Sequence, residues 1–255
     1  MQSSPSADII ASLNLSGGLY ETYHHRAYGP HLPPWQPLCP QYFPHDAQCG
    51  LEALDLDYRY LAFDVNEETL PAAVDGLKAM NARGFNLTMP DKNRMVSLCD
   101  QLSPAARLIG AVNTVVNDNG VLTGHNTDGA GYMQSVKDAG FQISGEKMTL
   151  LGAGGAATAI LVQAALDGVR EISVFLRPSS RFYDRARETA EALRKKTGCI
   201  ISLCDFSDHD RLRSELSQSR ILTNATSLGM APSEDACPIP TQPSFRTAHR
   251  LRHHL

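Results

Sequence analysis

Three polar side chains stand where short apolar segments end, and their types suit proton transfer to and from a hydroxyl group. Lys92 ends the segment GFNLTMPDK, Asn113 lies in IGAVNT, and Asp128 lies in GHNTDG. A lysine and an aspartate that meet at one hydroxyl could pass its proton between them. Each residue also has a plainer interpretation: Lys92 as a solvated lysine in the first turn of a helix, Asn113 as a turn residue, and Asp128 as a helix N-cap. The pattern alone leaves both interpretations open.

A glycine-rich turn follows an apolar run and precedes an alanine-rich helix in MTLLGAGGAATAI. Residues 152–157 fit the pattern G-x-G-x-x-A, in which Gly152 allows a tight turn and Gly154 lets a pyrophosphate approach the backbone. The small side chain of Ala157 permits close packing of helix on strand, and free N–H groups at the helix start bind the anion. With a strand before it and a helix after it, the turn indicates a dinucleotide site. The alternative is a turn of the same shape without a ligand.

The end of the next strand bears on which dinucleotide would bind. The residues there are Phe175, Leu176 and Arg177, without the acidic residue that usually contacts the ribose hydroxyls of NAD. Arg177 and Arg181 flank a turn of small residues and could hold a 2′-phosphate, which favours NADP. Arg181 could equally be the solvated start of the following helix. A bound nicotinamide would take or give the hydride while the Lys–Asp pair handled the proton.

Composition and charge restrict the class of protein. Of the 255 residues, 42% are hydrophobic and 20% are charged, as in ordinary globular domains. The formal net charge of −4 argues against nucleic acid or an anionic membrane as the main partner. No apolar run is long enough to span a membrane, and the N-terminus lacks a signal-peptide pattern. We therefore expect a cytoplasmic protein that acts on a small molecule.

The cysteines and histidines do not form a metal-binding pattern. The six cysteines are scattered without a CxxC pair, which favours reduced thiols over a zinc site or a disulfide framework. Binding of a metal through His24 and His25, or through His249, His253 and His254, is the alternative. No cysteine or acidic residue lies at ligand spacing from them, so we predict no metal site.

Segments typical of strands and helices alternate from about residue 51 to residue 235, whereas residues before 51 and after 235 have no usable period. LDYRYLAFDV suits a strand, and apolar residues from Leu70 to Met80 recur at helical spacing, with Gly84 as the C-terminal stop. DKNRMVSLCDQL also has helical spacing, and Asn119-Gly120 predicts a hairpin turn. From residue 126 onward helices and strands alternate, which predicts a parallel α/β sheet and two lobes divided near Gly124–Asp128.

Several of these segments resemble successive motifs of the shikimate dehydrogenase family, in unbroken order over residues 51–235. They are GFNLTMPDK, IGAVNTVVNDNGVLTGHNTDGAGY, LLGAGGAATAI and ILTNATSLGM. QLSPAARLIGAVNT resembles the quinate/shikimate dehydrogenase branch in particular. The resemblance implies a two-lobed α/β protein that interconverts shikimate and 3-dehydroshikimate, or quinate and 3-dehydroquinate, with NADP or NAD. It leaves open whether the chain forms a homodimer.

The resemblance also implies a division of the chain and roles for particular residues. The expected division is an atypical segment 1–50, a substrate domain 51–124, a Rossmann-like dinucleotide domain 125–235 and an atypical tail 236–255. Lys92 and Asp128 would be the catalytic pair at the reacting hydroxyl, and Asn113 and Thr88 would hold other ring hydroxyls. The residues implied in cofactor binding are Gly152, Ala153, Gly154, Gly155, Ala156 and Arg177.

Both ends of the chain depart from the family pattern. The opening strand and a serine motif of the form HSxSPxMHNA are missing before LDYRYLAFDV, and the C-terminal part, with its glutamine-bearing helix, is expected to be truncated. The codons for FPHDAQCG, read one base later, permit Ser-Pro-Thr-Met-His-Asn-Ala, which suggests a change of reading frame before Leu51. Without the opening strand we expect an unpaired sheet edge. The alternative function is therefore an impaired remnant of the family that at most binds a dinucleotide.

Overall fold

The computed structural model of the chain describes residues 8–14, 43–88, 91–228 and 236–239, and it divides into two compact units, Met1–His125 and Asn126–Leu255. The strands are β1 (Asp8–Asn14), β2 (Tyr58–Asp64), β3 (Gly84–Leu87), β4 (Gln101–Leu102), β5 (Thr114–Asp118), β6 (Val121–His125), β7 (Lys147–Leu151), β8 (Glu171–Leu176), β9 (Ile200–Asp205) and β10 (Ile221–Asn224). The helices are α1 (Phe43–Ala53), α2 (Leu70–Ala79), α3 (Pro104–Ile109), α4 (Asp128–Asp138), α5 (Gly155–Leu166), α6 (Tyr183–Thr197) and α7 (His209–Gln218), with a 3₁₀ helix at Arg94–Leu98. The predicted α/β fold is confirmed.

The first unit is built on a mixed six-stranded sheet with the strand order β2-β1-β3-β5-β6-β4. β1 pairs in parallel with β2 and β3, whereas β3–β5 and β5–β6 are antiparallel. The predicted hairpin forms β5 and β6, and its turn residues Asn119 and Gly120 have φ values of 52° and 90°. A two-residue type I′ turn requires positive φ at both central positions, and Asn-Gly adopts this conformation with little strain.

The prediction that no opening strand precedes LDYRYLAFDV is wrong, and the residues before 51, which have no usable period, also contain the start of a helix. β1 lies between β2 and β3, so the predicted unpaired edge at this point of the sheet does not occur. α1 begins at Phe43, eight residues before the sequence pattern becomes regular. The segment DIIASLN is short and flanked by irregular sequence, so its β-branched Ile9 and Ile10 give no detectable period. Its place in the sheet depends on pairing with β2 and β3, which lie far along the chain, so a local sequence pattern does not predict it.

The outer edge of β2 is partly covered by a side chain of α1. Gln48 Oε1 accepts a hydrogen bond from the Tyr60 N–H (2.9 Å), and Gln48 Nε2 donates to the Tyr58 carbonyl (3.3 Å). The amide thus bonds to the strand as a neighbouring peptide group would. Such covering of an edge strand reduces its tendency to pair with another chain.

Two local predictions in the first unit need correction. Gly84 does not end α2 but begins β3, where an added Cβ would lie 2.5 Å from the Val115 carbonyl oxygen. The segment DKNRMVSLCDQL forms a 3₁₀ helix and the short strand β4 rather than an α-helix. Met95 is fully buried and Leu98 is packed against the same core, a spacing of three residues that a 3₁₀ helix places on one face. The helix that was not predicted, α3, has a Ser103 cap accepting from the Ala106 N–H (3.2 Å).

The second unit is a parallel four-stranded sheet with the order β10-β7-β8-β9. All five residues of β7 are buried, as are eight residues of α5, because helices cover a parallel sheet of this type. The small residues of α5 let it lie close to the sheet. Within the described ranges, no helix is long and apolar enough to cross a membrane.

A buried ion cluster ties together the amino ends of β7 and β8 and helix α7. Lys147 Nζ lies 2.7 Å from Glu171 Oε1 and 2.6 Å from Glu215 Oε2, and the Ser173 hydroxyl donates to Glu215 Oε2 (2.6 Å). Arg211 contacts the other oxygen of Glu215 at 2.7 Å. Burial raises the pKa of Glu215, but the hydrogen bonds from Lys147 and Ser173 outweigh it, and the net pKa is below its usual range. Burial likewise lowers the pKa of Lys147, but the bonds to the two carboxylates raise it overall.

Removing the charge of Glu215 should strongly destabilise the fold, because it leaves Lys147 buried with one partner fewer. We expect Glu215→Gln to lower the free energy of unfolding at neutral pH by about 3–5 kcal/mol, measured by urea denaturation. The control is Asp210→Asn on the same helix, which breaks an exposed ion pair with Arg213 and should cost less than about 1 kcal/mol. Equal losses in the two variants would contradict the prediction.

The same variant should change how stability depends on pH. A carboxylate whose folded pKa is lowered contributes stability above its unfolded pKa, and this contribution is lost as the pH falls through the folded pKa. The difference between wild type and Glu215→Gln should therefore shrink in acid. The pKa of Lys147 is raised in the folded state. Its contribution to stability is therefore fully present below its unfolded pKa and is lost only as the pH rises through its folded pKa.

Candidate functional site

Thr88, Lys92 and Asn113 lie on segments that the backbone of the first unit brings together. Thr88 follows β3, Lys92 lies in the turn before the 3₁₀ helix, and Asn113 precedes β5. The Leu87 N–H donates to the Asn113 carbonyl (2.9 Å), and the Val112 N–H donates to the Lys92 carbonyl (2.8 Å). Asn113 is 8% exposed, so it is a buried residue of the sheet rather than a solvated turn residue.

A chain of hydrogen bonds across the sheet sets the orientation of the Asn113 amide. The Tyr60 hydroxyl on β2 donates to Asn86 Oδ1 on β3 (3.2 Å), and Asn86 Nδ2 donates to Thr114 Oγ1 (3.1 Å). Thr114 Oγ1 then donates its proton to Asn113 Oδ1 (3.0 Å). Asn86 Nδ2 also donates to the backbone carbonyl of Asn113 (3.4 Å). Because a carbonyl oxygen can only accept, this contact identifies the nitrogen of Asn86 and so fixes the order of donors along the chain. We call Tyr60, Asn86 and Thr114 the orienting chain of Asn113.

Sequence reasoning did not single out the orienting chain. The one available signal was Asn86, a polar residue in the centre of the short apolar strand GFNL. A polar side chain in such a position needs a hydrogen-bond partner, which predicts a network without identifying its members. Tyr60 and Thr114 become visible only through the strand order, because β1 separates the strand of Tyr60 from that of Asn86.

The turn that carries Lys92 contains an unfavourably buried carboxyl group. Asp91 is 2% exposed, and within the described part of the chain its Oδ1 has no hydrogen-bond partner. Burial, with the negative charge of Glu67 added to it, raises the pKa of Asp91, and Arg94 opposes this only in part. Buried polar atoms without partners are uncommon. The turn therefore buries an unpaired carboxyl oxygen next to Lys92, which is energetically unfavourable.

Asp128 belongs to the second unit, as the first residue of α4. The N-cap position is Thr127, so the interpretation of Asp128 as a helix cap is wrong. The Asp128 N–H donates to Oδ1 of the buried Asn126 (3.2 Å), which holds the start of the helix.

The glycine turn has the form that a pyrophosphate requires. Gly152 has φ of +104°, and its N–H donates to the Phe175 carbonyl at the end of β8 (2.8 Å). A Cβ built on Gly154 or Gly155 would meet no described atom within 4 Å, so there is room for a ligand beside the backbone. Among the described residues no side chain caps the N-terminus of α5, and its first turn has no acidic residue. Its N–H groups and dipole therefore suit an anion, and the residues present fit a dinucleotide.

Arg177 lies at the same edge of the sheet as the glycine turn, because it follows β8 directly and Gly152 bonds to the end of that strand. Its carbonyl accepts from the Ser180 N–H (2.9 Å), which closes the turn of small residues, and its side chain is exposed. The Arg181 guanidinium lies 4.7 Å from the centroid of the Phe182 ring. Arg177 is thus the better placed of the two arginines for a ribose phosphate.

No group of three or more potential metal ligands occurs among the residues that the structure describes. Within these ranges, Cys99, Cys199 and Cys204 are free thiols. The histidines considered as ligands, at positions 24, 25, 249, 253 and 254, lie outside the described residues.

Comparison with known proteins relates these features to one family. Residues 44–115 match the family model described as the shikimate dehydrogenase substrate binding domain. The chain is 54% identical over 193 residues to the NADP-dependent shikimate dehydrogenase of Listeria monocytogenes, covering 76% of this chain and 66% of that protein. It is 44% identical over 186 residues to the quinate/shikimate dehydrogenase of Escherichia coli, covering 73% of this chain and 64% of that protein.

A solved structure extends the similarity to the fold. The crystal structure of shikimate 5-dehydrogenase from Listeria monocytogenes in complex with shikimate and NAD superimposes with a TM-score of 0.79 at 46% identity. The match covers 92% of this chain and 74% of that structure. The chain belongs to the shikimate dehydrogenase family. The family predicted from the sequence motifs is therefore confirmed.

The extent of the match shows which site residues lie within it. The chain spans 66% of the length of the Listeria enzyme and 64% of the Escherichia coli enzyme. A stretch of 193 residues in a chain of 255 includes residues 63–193 wherever it begins. Thr88, Lys92, Asn113, Asp128, the glycine turn and Arg177 all lie in this range.

We predict that Gly152→Ala destabilises the second unit more than Gly145→Ala does. Both glycines have positive φ, +104° and +78°, so both variants incur a backbone cost of about 1–2 kcal/mol. Only at Gly152 would the new Cβ lie 2.9 Å from the Ala225 carbonyl oxygen, whereas Gly145 has no described atom within 4 Å. The midpoint of urea denaturation should fall further for Gly152→Ala. Identical midpoints would mean that the close contact is not a constraint.

Proposed function

We propose that the chain is an NAD(P)-dependent oxidoreductase that interconverts shikimate and 3-dehydroshikimate, or quinate and 3-dehydroquinate. The observation that carries the proposal is the 54% identity to the NADP-dependent shikimate dehydrogenase of Listeria monocytogenes over a stretch of 193 residues that includes all the residues implied in the reaction. The orienting chain of Asn113 and the open backbone at Gly154 and Gly155 support it, since each leaves a polar group oriented or accessible for a bound molecule.

In the proposed reaction the dinucleotide, when bound, supplies the hydride acceptor or donor. Lys92 Nζ and the Asp128 carboxylate contact the reacting hydroxyl and hold or take its proton as the carbon changes oxidation state. Asn113 and Thr88 bind other hydroxyl groups of the ring. Because Asn113 Oδ1 already accepts from Thr114, the amide directs its Nδ2 side, a donor, toward its other contacts.

The cofactor is proposed to be NADP or NAD, held by the backbone of Gly152, Ala153, Gly154, Gly155 and Ala156. Arg177 favours NADP, because an exposed guanidinium at this edge of the sheet suits a 2′-phosphate and β8 itself does not end in the acidic residue that usually contacts the ribose of NAD. A cytoplasmic location and a homodimer complete the proposal. The homodimer would be tested by the mass measured in solution.

The first experiment measures substrate-dependent formation of the reduced nicotinamide by the full chain. Shikimate and quinate are each tested with NADP+ and with NAD+. We expect turnover, and we expect Lys92→Met to lower kcat by about 10²–10⁴-fold through loss of the acid–base group, with binding of NADP+ unchanged in calorimetry. Lys137→Met, which alters an exposed lysine on α4, is the control and should keep full activity.

The alternative function is separated by the same measurements. A remnant of the family would bind NADP+ in calorimetry yet show no turnover with either substrate. That outcome would disprove the proposed reaction while keeping the assignment of the dinucleotide site.

A second variant tests the orienting chain of Asn113. Thr114→Val keeps the shape of the side chain but removes the hydroxyl that donates to Asn113 Oδ1. The amide then loses its fixed orientation, and we expect KM for the substrate to rise about tenfold, equivalent to about 1.4 kcal/mol, with a smaller change in kcat. Thr123→Val, in the neighbouring strand β6, is the control. An unchanged KM in Thr114→Val would show that the orienting chain has no part in substrate binding.

A further inference from the structure

The residue that follows Asp128 lies directly against α5, the helix that begins at the glycine turn. Gly129 is buried, and a Cβ built on it would lie 2.2 Å from the Ala159 carbonyl oxygen and 2.8 Å from Gln163 Cβ. Real Cβ atoms do not approach a carbonyl oxygen so closely. Helices α4 and α5 therefore meet at a distance that only glycine permits at this position.

A second attachment lies one turn further along α4. Tyr132 is 2% exposed, and its hydroxyl lies 2.5 Å from the hydroxyl of Thr223 on β10, which is itself 1% exposed. β10 pairs with β7 and leads to Ala225, whose carbonyl oxygen lies beside Gly152. Tyr132 thus connects α4 to the strand that flanks the glycine turn.

These two contacts place the start of α4 relative to the turn. Ala159 follows Gly155 by four residues, so the contact with Gly129 lies about 6 Å along the axis of α5 from its first residue. The N–H of Asp128 is held by Asn126, which fixes the backbone on the other side. Asp128 is therefore followed by residues that pack against α5 and β10, and its own N–H is held within the preceding turn.

We infer that Gly129 and Tyr132 are positioning residues that hold the Asp128 carboxylate at a fixed place relative to the glycine turn. The inference rests on the proposed function, because it is the proposed reaction that requires Asp128 and the dinucleotide to keep one geometry. Displacement of a catalytic group by about 1 Å can cost about 100-fold in rate. A methyl group inserted between α4 and α5 at Gly129 would force a displacement of that order.

The same helix contains a matched control. Gly131 lies two residues further on, is exposed, and has no described atom within 4 Å of a built Cβ. Replacing glycine by alanine inside a helix favours the helix by about 1 kcal/mol where space allows. Gly131→Ala should therefore keep wild-type activity and melt at the same temperature or higher, so that any loss in Gly129→Ala reflects the contact with α5.

The test compares wild type, Gly129→Ala and Gly131→Ala as full-length chains. For Gly129→Ala we expect kcat with shikimate to fall at least tenfold, while the dissociation constant of NADP+ from calorimetry changes less than threefold. A general loss of structure would weaken NADP+ binding as well. Unchanged kcat in Gly129→Ala would overturn the inference, and so would an equal loss of turnover and of NADP+ affinity.

A double-mutant cycle tests whether the effect acts through Asp128. Asp128→Asn is measured in the wild-type and in the Gly129→Ala background. If Gly129 acts by placing the carboxylate, the factor lost on Asp128→Asn is at least tenfold smaller in the Gly129→Ala background. Equal factors in the two backgrounds mean that the residues act independently, and they would overturn the inference.

Tyr132→Phe is the milder variant and carries the test if Gly129→Ala does not fold. It removes only the hydroxyl bonded to Thr223, and we expect a threefold or greater loss of kcat with NADP+ affinity retained. Unchanged kcat in Tyr132→Phe would count against the inference. Failure of the proposed function is recognised separately, because wild type would then show no turnover with either substrate, whereas failure of the inference alone leaves wild type active and the variants unaffected.

Discussion

The packing within each unit depends on close approaches between backbone segments at three glycines. Gly84 lets β3 lie against Val115 of β5, Gly129 lets α4 lie against α5, and Gly152 lets the turn lie against the end of β10. At each place a Cβ would stand less than 3 Å from a carbonyl oxygen. Each contact also sets the position of a segment proposed to have a function: the strand before Thr88, the helix start at Asp128, and the turn proposed to bind the pyrophosphate. Within each unit, the absence of a side chain is thus the physical condition for these close approaches.

The second constraint is the direction in which each polar group points, and hydrogen bonds set it. A buried amide can be turned over at little steric cost, so packing alone does not decide whether its nitrogen or its oxygen faces a ligand. The orienting chain removes this ambiguity for Asn113, because the single proton of Thr114 goes to Asn113 Oδ1 once Asn86 has donated to the Thr114 oxygen. In α5 the direction comes instead from the helix itself, whose N–H groups all point toward the glycine turn. Side-chain hydrogen bonds thus orient a polar group in the first unit, and the helix backbone orients the N–H groups in the second.

Much of this could be predicted from the sequence wherever a residue acts through its own local pattern. Asn119-Gly120 specifies a hairpin turn, and G-x-G-x-x-A between a strand and a helix specifies an anion-binding turn, since both depend only on neighbours in the chain. β1, the orienting chain and the contact of Gly129 with Ala159 could not be predicted in this way. Apart from the link between the adjacent Thr114 and Asn113, they join residues that are 26 or more positions apart, and the packing that brings these residues together is a property of each whole unit. The error at Gly84 has the same origin, because a glycine required by a neighbouring strand looks locally like the end of a helix.

The buried ion cluster and the proposed dinucleotide site lie at opposite ends of the second sheet. Lys147 and Glu171 are the first residues of β7 and β8, whereas the glycine turn and Arg177 follow the last residues of these strands. A strand of five residues separates the two ends by about 16 Å. A buried ion cluster is costly to assemble and very sensitive to loss of one partner. Placed at the amino ends of the strands, it holds α7 and the sheet together without adding charge near the anion-binding turn, where carboxylates such as Glu171 and Glu215 would repel a phosphate. The residues that follow the carboxyl ends of β7 and β8 are glycine, alanine and arginine, whose small size or positive charge suits a dinucleotide.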